Sequence, residues 1–475
     1  MQSDGIEVAV RPLGSSPSLE AVICAFAEMD RPAILESSHR KTQGGRYSIF
    51  TANPVRSFRC RGEDSSLGVR VLGELTKSPA AAISPSQLIP FAGGWIGYVT
   101  YELGLATERI RPVGEIGEPA VALCFYDVVA VIDHAENQWY AAGIDWAGPM
   151  RSQRPSIGRR MDWVETVLRN AEISEALVGK PRRSDSVIVD QGLTKPEYLE
   201  KVRRILGYIE AGDVYQVNLT NRVVVRTTSS PLETYLRLRC ISPSPFAAFL
   251  PWDDAAVMSS SPELFLAVTG RQVVSRPIKG TRARTGDRVS DAVALSELEQ
   301  SEKDRAELAM IVDLMRNDLG RVCEYGSVRA TEGRVIEEHP TVFQGVATVE
   351  GRLRGDVGFV ELMESAFPGG SVTGAPKIRA MQIISELELV PRGVYCGCIG
   401  WIGLDGSTCL NLAIRTMVHR GREVFLHAGG GIVADSDPEA EYEEMQVKLS
   451  GMLRALGCEP MARHCAQSPG EAIAR

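Results

Sequence analysis

The second half of the chain carries the clearest alternation between helical and strand-like hydrophobic patterns. Apolar side chains between residues 199 and 209 recur at the spacing of one helical face. Thr194 and Glu197 form a capping box in front of them, which predicts where this helix begins. Residues 215–220 then alternate between apolar and polar, which predicts a strand with Gln216 on its polar face.

Two later helices each carry two acidic residues three positions apart. Asp304 and Glu307 lie on one face of a helix predicted to begin near Ser301, and Glu441 and Glu444 lie beside the apolar stripe of a helix near the end of the chain. Either pair alone is typical of a solvated helix surface, where acids favour the helix dipole. Together, the two pairs also suit a hard divalent cation such as Mg²⁺.

The first half of the chain has shorter elements. Residues 1–145 indicate strands joined by turns, for example at residues 121–126 and 128–132. An amphipathic helix is predicted over residues 161–177, and the polar residues 179–186 form a linker.

We therefore predict three parts. They are an N-terminal region over residues 1–178, a catalytic region over residues 187–456 and a loose C-terminal tail over residues 457–475.

Composition narrows the functional classes. The 475 residues are 44% hydrophobic and 24% charged with a net charge of −8, and they include no basic, aromatic-rich patch, so nucleic-acid binding is not expected. Neither a signal peptide nor a long apolar run is visible, so we expect a cytoplasmic protein without a membrane span. The ten cysteines include no Cys-x-x-Cys pair, so neither a zinc site nor a disulfide framework is expected.

Lys279 is the first candidate catalytic residue. It lies between an apolar strand-like run and Gly280, where partial burial could make its amine a nucleophile. Arg276 and Arg282 are close in sequence, and unpaired guanidiniums beside the amine would favour its neutral form. The alternative is an ordinary surface lysine in a turn.

Other polar residues could bind an anionic substrate. Gly429, Gly430 and Gly431 are predicted to form a loop whose backbone N–H groups could approach an anion. Arg415, on a predicted strand, could hold a carboxylate, and Glu263 is a candidate acid near a turn. Residues 369–377 resemble a phosphate loop but lack its lysine, which argues against a nucleotide-binding enzyme.

A series of ordered motifs between residues 187 and 456 resembles the chorismate-utilising enzymes. The motifs are Asp213–Leu219, Ser261–Glu263, Pro277–Thr281, Val312–Gly320, Gly369–Lys377, Gly431–Ser436 and Glu441–Glu444. Two shorter stretches, Leu35–Ser37 and Arg46–Ser48, resemble the first domain of that family more weakly. The resemblance implies an α+β fold like that of anthranilate synthase component I, with antiparallel sheets packed face to face and helices outside.

The resemblance also implies a role for each candidate. Glu307 and Glu444 match residues that hold Mg²⁺, and Asp304 and Glu441 match residues that support the ion through water. Glu263 matches the general acid that protonates the departing C4 hydroxyl of chorismate. The positions that match substrate-binding residues are Gln216, Thr281, Tyr395, Arg415, Gly429, Gly430, Gly431 and Lys448.

Two positions separate the branches of the family. Gln216 stands where the water-using members have a lysine base, and glutamine cannot deprotonate water, so an ammonia-using enzyme is implied. Lys279 stands where anthranilate synthases have alanine, and the surrounding spelling resembles component I of aminodeoxychorismate synthase. The resemblance therefore implies that chorismate and ammonia give 4-amino-4-deoxychorismate, on the route to para-aminobenzoate and folate.

Two alternatives remain open at this point. One is the large subunit of an anthranilate synthase, and the other is a non-catalytic, effector-binding subunit. No glutaminase motif is visible in the sequence, so ammonia is expected from a glutamine amidotransferase on a separate chain.

Overall fold

The computed structural model forms two large sheets in which every strand pairing is antiparallel. The larger sheet has twelve strands and the smaller has ten. The residues that the structure describes are 7–14, 17–38, 45–61, 72–73, 88–115, 117–145, 154–172, 185–339 and 342–458.

The larger sheet begins with N-terminal strands and ends with C-terminal ones. Its spatial order is β1 (Glu7–Leu13), β8 (Gln138–Asp145), β7 (Val128–Asp133), β3 (Tyr47–Thr51), β2 (Ala33–Glu36), β11 (Phe246–Trp252), β12 (Ala255–Ser261), β21 (Thr416–Arg420), β22 (Glu423–Ile432), β10 (Gln216–Arg226) and β18 (Gly374–Ala375), with β9 (Val187–Asp190) also on β10.

The smaller sheet also combines N-terminal strands with strands from later in the chain. Its spatial order is β15 (Ile278–Ala283), β17 (Val342–Arg352), β14 (Gln272–Arg276), β13 (Leu264–Thr269), β20 (Thr408–Leu412), β19 (Cys398–Gly403), β5 (Gly94–Val99), β6 (Val121–Tyr126) and β4 (Arg56–Cys60), with β16 (Arg329–Glu338) also on β17.

Helices occur between the strands along the whole described chain. They are α1 (Leu19–Ala27), α2 (Tyr101–Thr107), α3 (Ile157–Arg169), α4 (Lys195–Glu210), α5 (Pro231–Ile241), α6 (Arg288–Gln300), α7 (Glu302–Gly320), α8 (Phe359–Ala366), α9 (Lys377–Leu387) and α10 (Pro438–Ala455).

The two sheets bury one apolar core between them. Ile49 and Leu250 of the larger sheet share a buried cluster with Ile96 and Trp401 of the smaller one. Burial of this apolar surface is the main force that holds the sheets together. The predicted α+β fold, with antiparallel sheets face to face and helices around them, is therefore confirmed.

Both sheets take strands from each of the two predicted regions. Strand β2 pairs with β11 in the larger sheet, and β5 pairs with β19 in the smaller one. The division at residues 178 and 187 stays a prediction, although these pairings join the two regions closely. Most of the predicted tail, residues 459–475, lies outside the described residues.

Local predictions of three elements need correction. Helix α3 begins at Ile157 and ends at Arg169, earlier at both ends than predicted. Gly429–Gly431 lie inside strand β22, paired with β10, and do not form a loop. Arg415 lies between β20 and β21 with a positive φ of 49°, so it is on a turn and not on a strand.

No helix in the described ranges is long and apolar enough to cross a membrane. The cytoplasmic setting stays a prediction.

Candidate active site

Three strands and one helix converge on Lys279. Its side chain on β15 is 13% exposed, and its Nζ lies 3.5 Å from Oε2 of Glu307 on α7. A Cβ atom on Gly431 of β22 would lie 3.1 Å from that Nζ and 2.9 Å from Cδ of Gln216 on β10. Only glycine leaves room there, so the structure brings together three side chains predicted from distant motifs: Lys279, Gln216 and Glu307.

The expected activation of Lys279 by free guanidiniums is wrong. Arg276 is held by Glu337 at 2.8 Å, and Arg282 is held by Asp304 at 3.0 Å. Each cation is already neutralised by a carboxylate, so neither acts as an unpaired charge beside the amine.

One acid from each of the two helical pairs lies near Lys303, a lysine that the sequence patterns did not single out. Lys303 Nζ lies 4.0 Å from Oε1 of Glu307 and 3.5 Å from Oε1 of Glu441. Burial raises the pKa of Glu441, against a hydrogen bond from Ser436. One carboxylate of α7, Glu307, and one of α10, Glu441, therefore flank Lys303, and the metal site stays a prediction.

Asp304 and Glu444, the other members of the two acidic pairs, have different partners. Asp304 pairs with Arg282, and Gly280 has a φ of 78° where a Cβ would lie 2.8 Å from Cγ of Asp304. Burial opposes ionisation of Glu444, but the charge and hydrogen bond of Lys448 at 2.7 Å outweigh it and lower the pKa of Glu444. Asp304 is thus held by Arg282, and Glu444 by Lys448 with the charges of Lys279 and Lys303 nearby.

These residues fit Mg²⁺ only together with other ligands. Among the described residues, no group of three or more acidic, histidine or cysteine side chains could hold a metal ion by itself. Mg²⁺ is commonly bound through one or two carboxylates together with waters and a substrate oxygen. Glu307 and Glu444, with Glu441 and Asp304 beside them in sequence, have the donor chemistry for such a site.

Glu263 lies in a buried pocket beside the lysine. It is 5% exposed, and Oγ of Ser371 donates a hydrogen bond of 2.6 Å to its Oε1. Burial raises the pKa of Glu263 to about 7, although the hydrogen bond from Ser371 and the charge of Lys279 oppose the increase. A carboxyl with that pKa is partly protonated at neutral pH and can donate a proton.

Arg415 is a half-buried cation without a carboxylate partner in the part of the chain that the structure describes. Burial lowers the pKa of Arg415, and its guanidinium lies 3.5 Å from Oγ of Ser242. No carboxylate of the described ranges lies within ion-pair distance of it. A half-buried guanidinium without a partner is costly, so an anionic ligand would relieve that cost.

The remaining predicted substrate-binding residues differ in their surroundings. Tyr395 is buried and stacks on His427 with 5.2 Å between ring centroids. Lys448 donates to the carbonyl oxygen of Gly429 at 2.9 Å, so it contacts the glycine run directly. Thr281 is exposed on β15, opposite the buried Gln344.

Two further polar residues at this site had no predicted role. The side-chain oxygen of Gln344 and the side-chain nitrogen of Asn218 are buried without hydrogen-bond partners among the described residues, as are both amide atoms of Gln216. Unsatisfied buried amides cost free energy, so their presence marks a place where a polar ligand would be stabilised. Asn218 lies within the motif Asp213–Leu219, and its place on the polar strand face with Gln216 is the signal that could have identified it.

The segment that resembled a phosphate loop has a structural role. Nζ of Lys377 forms a 2.5 Å ion pair with Asp318 and also donates to the carbonyl oxygen of Ala366. Ser371, in the same segment, is the residue that contacts Glu263. The segment thus fixes the wall of the pocket around the candidate acid.

The motifs and their convergence agree with comparison to known proteins. The sequence profile of the chorismate binding enzymes matches residues 31–454. The chain belongs to the chorismate binding enzyme family. The match takes in both the converging strands around Lys279 and most of the N-terminal region, so it covers the whole candidate site.

Individual relatives carry two different enzyme names. The chain is 34% identical over 470 residues to aminodeoxychorismate synthase component 1 of Klebsiella aerogenes, covering 95% of this chain and 97% of the relative. It is 37% identical over 456 residues to anthranilate synthase component 1 of Thermus thermophilus, covering 92% and 96%. The crystal structure of anthranilate synthase component I from Streptococcus pneumoniae superimposes with a TM-score of 0.72 at 29% identity, covering 87% of this chain and 93% of that one.

Proposed function

We propose that this protein converts chorismate and ammonia to 4-amino-4-deoxychorismate. The observation that supports this proposal most strongly is the position of Lys279, against Glu307 and within reach of the Gln216 side chain across Gly431. A primary amine in that place supplies a nucleophile, and a glutamine in the neighbouring position supplies no base for water. Full-length similarity to aminodeoxychorismate synthase component 1 supports the same branch.

In the proposed reaction, the amine of Lys279 attacks C2 of chorismate. Both ring double bonds shift, the bond from C4 to its hydroxyl breaks, and Glu263 gives its proton to the leaving oxygen, which departs as water. Ammonia then adds at C4, both double bonds shift back, the C2–N bond breaks to release Lys279, and a proton from the added nitrogen returns to Glu263. The net change is exchange of the C4 hydroxyl for an amino group with loss of one water.

The substrate is a dianion, and the candidate site has cations for both charges. Arg415, half-buried and without a carboxylate partner among the described residues, is proposed to bind one carboxylate, and Tyr395 is a further candidate for binding the substrate. Mg²⁺ held by Glu307 and Glu444, with Asp304 and Glu441 in support, would supply positive charge for the ring carboxylate. These four acidic side chains would orient the ion and keep the surrounding part of the site polar.

Ammonia is proposed to come from a glutamine amidotransferase subunit on a separate chain. The name component 1, which several relatives share, implies such a partner for them. The nearest alternative activity is that of an anthranilate synthase large subunit, which the Thermus thermophilus relative keeps open. That reaction would also release pyruvate, so the two activities differ in their products.

A product assay tests the proposal. The purified chain is incubated with chorismate, Mg²⁺ and an ammonium salt, and products are separated by liquid chromatography with mass detection while pyruvate is measured enzymatically. The expected result is 4-amino-4-deoxychorismate without pyruvate, and no turnover when either chorismate or ammonium is omitted. Anthranilate with an equal amount of pyruvate would show the alternative activity, and no product of either kind would reject both.

A further inference from the structure

A buried ion pair lies against the strand that carries Gln216. Glu388 is the residue after α9, and Arg392 follows four positions later. Nε of Arg392 donates to Oε2 of Glu388 at 2.8 Å, and Nη2 donates to Oε1 at 2.6 Å. The two side chains are almost completely buried. Burial of two charges costs free energy that their mutual attraction seldom repays by itself, so the other contacts of the pair indicate its role.

The pair supplies strand β10 with hydrogen-bond partners that no neighbouring strand provides. Strand β22 pairs with β10 along most of its length, whereas on the other side β18 and β9 contact only its two ends. Between those ends, the carbonyl oxygen of Asn218 accepts a hydrogen bond from Arg392 at 2.8 Å, and the backbone N–H of Thr220 donates to Glu388 at 3.0 Å. Buried backbone groups require such partners. The pair therefore holds the part of β10 that lies two residues from Gln216.

The same guanidinium also holds the wall that carries Ser371. Nη1 of Arg392 donates to the carbonyl oxygen of Val372 at 2.7 Å. Val372 is the residue next to Ser371, whose Oγ donates to Glu263 at 2.6 Å. One planar group thus binds two backbone segments of the candidate site. A guanidinium can do this because its five N–H donors point in fixed and different directions, whereas an ammonium is a compact point charge.

Helix α2 holds Arg392 in place. Oε1 of Glu102 accepts hydrogen bonds from the backbone N–H groups of Arg392 and Gly393 at 2.7 and 3.1 Å. Cζ of the guanidinium lies 4.5 Å from the centroid of the Tyr101 ring, a typical cation–π distance. Both the backbone and the side chain of Arg392 are therefore fixed by the protein itself. The ionisable side chains around the guanidinium are Glu388, Tyr101, Glu102, Cys396 and His427.

We propose that the ion pair of Glu388 and Arg392 is a positioning pair for the reaction. It holds the hydroxyl of Ser371 on Glu263, and it keeps the strand of Gln216 in its place in the site. This inference rests on the proposed function, because it assigns supporting residues to the candidate acid of that reaction. Neither member of the pair is assigned a contact with chorismate, and each acts through the backbone segments that it binds.

The contact of Ser371 with Glu263 provides a measurable signature. Burial raises the pKa of Glu263, whereas the hydrogen bond from Ser371 and the charge of Lys279 lower it. Without the anchor on the neighbouring carbonyl, Ser371 would move from the carboxyl, and the ionised form of Glu263 would lose a donor. The fall in kcat with rising pH should then move to higher pH, since the protonated form is the active one.

Arg392→Lys is the decisive substitution. Lysine keeps the positive charge opposite Glu388, but an ammonium cannot bridge the carboxylate and both carbonyl oxygens. Arg160→Lys is the matched control, because Arg160 on α3 is also buried, pairs with Asp127 and donates to the carbonyl oxygens of Asp127 and Ile144. It loses the same kind of bridge, and none of these partners belongs to the candidate site.

The measurement is kcat against pH with the concentration of uncharged ammonia held constant. In Arg392→Lys the midpoint of the fall in kcat should move up by about half a pH unit or more. On the low-pH plateau, where Glu263 is protonated, kcat should still be about tenfold lower, because the strand of Gln216 is also released. In a Ser371→Ala background, Arg392→Lys should not move the midpoint further, because the contact that it disturbs is already absent. Arg160→Lys should keep the wild-type midpoint.

An unchanged midpoint in Arg392→Lys, or an equal further shift in the Ser371→Ala background, would overturn the positioning pair. If Arg392→Lys does not fold, Glu388→Gln decides by the same midpoint, because it keeps the shape of the side chain and removes the charge that fixes the guanidinium. Loss of a negative charge would by itself lower the pKa of Glu263, so only an upward shift supports the proposal. Absence of 4-amino-4-deoxychorismate from the wild type with ammonium would instead reject the proposed function itself.

Discussion

Replacement of Glu263 by glutamine tests the candidate acid most directly. Burial raises the pKa of Glu263 to about 7, so about half of the molecules hold its proton at pH 7. An exposed glutamate with a pKa of 4.5 would be protonated in roughly 0.3% of molecules at that pH. Glutamine has a similar shape but no acidic proton, so Glu263→Gln should lower kcat by about 10²–10⁴-fold while KM for chorismate changes little.

The pH dependence of the wild-type enzyme should report the same group. Since the protonated form is the active one, kcat should fall as pH rises through about 7 when the concentration of uncharged ammonia is held constant. Ser371→Ala is the matched control. It removes a hydrogen bond that favours the ionised form, so the fall in kcat should move to higher pH.

Stability should respond to the same proton. The folded-state pKa of Glu263 lies above its unfolded value of 4.5, so its contribution is fully present below pH 4.5 and is lost as pH rises through about 7. A difference of about 2.5 pKa units corresponds to about 3 kcal/mol of unfolding free energy. Glu102 has a similarly raised pKa of about 7 because it is buried, so the difference between the wild type and Glu263→Gln isolates the share of Glu263.

Steady-state kinetics and denaturant unfolding at pH 5.5, 7 and 8.5 check these expectations. The reasoning fails if Glu263→Gln retains kcat within about threefold of the wild type. It fails equally if the substitution leaves the pH dependence of unfolding free energy unchanged, since burial would then not have raised the pKa.

Four further substitutions test Lys279 and the residues around it. Lys279→Ala should slow formation of 4-amino-4-deoxychorismate or divert ammonia to C2. In wild-type protein quenched with chorismate but without ammonia, peptide mass spectrometry should show an adduct at Lys279. Equal rates and products in the variant would exclude the lysine as nucleophile. Glu307→Gln and Glu444→Gln should each weaken Mg²⁺-dependent turnover by about tenfold or more at limiting Mg²⁺, and an unchanged Mg²⁺ titration in both would exclude the metal assignment. Lys303→Met should tighten the apparent Mg²⁺ affinity, because its ammonium competes for Glu307 and Glu441; weaker affinity, measured by calorimetry, would contradict that competition.

Short-range signals were sufficient to predict the helices of the site. Ser301 caps α7 and Asp437 caps α10, because each side chain accepts a hydrogen bond from the backbone N–H three residues later. Serine and aspartate are both favoured at this capping position. The capping box of Thr194 and Glu197 starts α4 in the same way. A cap depends on three or four consecutive residues, so a single sequence contains all the information needed.

The glycine run shows where such signals fail. Gly429–Gly431 have no side chains to form a strand pattern, so a loop was predicted. Their conformation is decided by pairing with β10, which lies far earlier in the chain. Likewise Lys303 is four residues from Glu307, a spacing that could have been noticed, but its contact with Glu441 depends on how α7 and α10 pack.

The sharing of both sheets between the two halves has a consequence for synthesis of the protein. Strand β5 pairs with β19, and β2 pairs with β11, so the early strands keep an unpaired edge until much later residues have been made. Pairings so distant in sequence form slowly, and open edges promote association between chains. We expect chains that stop before residue 403 to aggregate and not to fold as a smaller unit, so that dependence on chaperones should be greatest while the ribosome is still completing the second half.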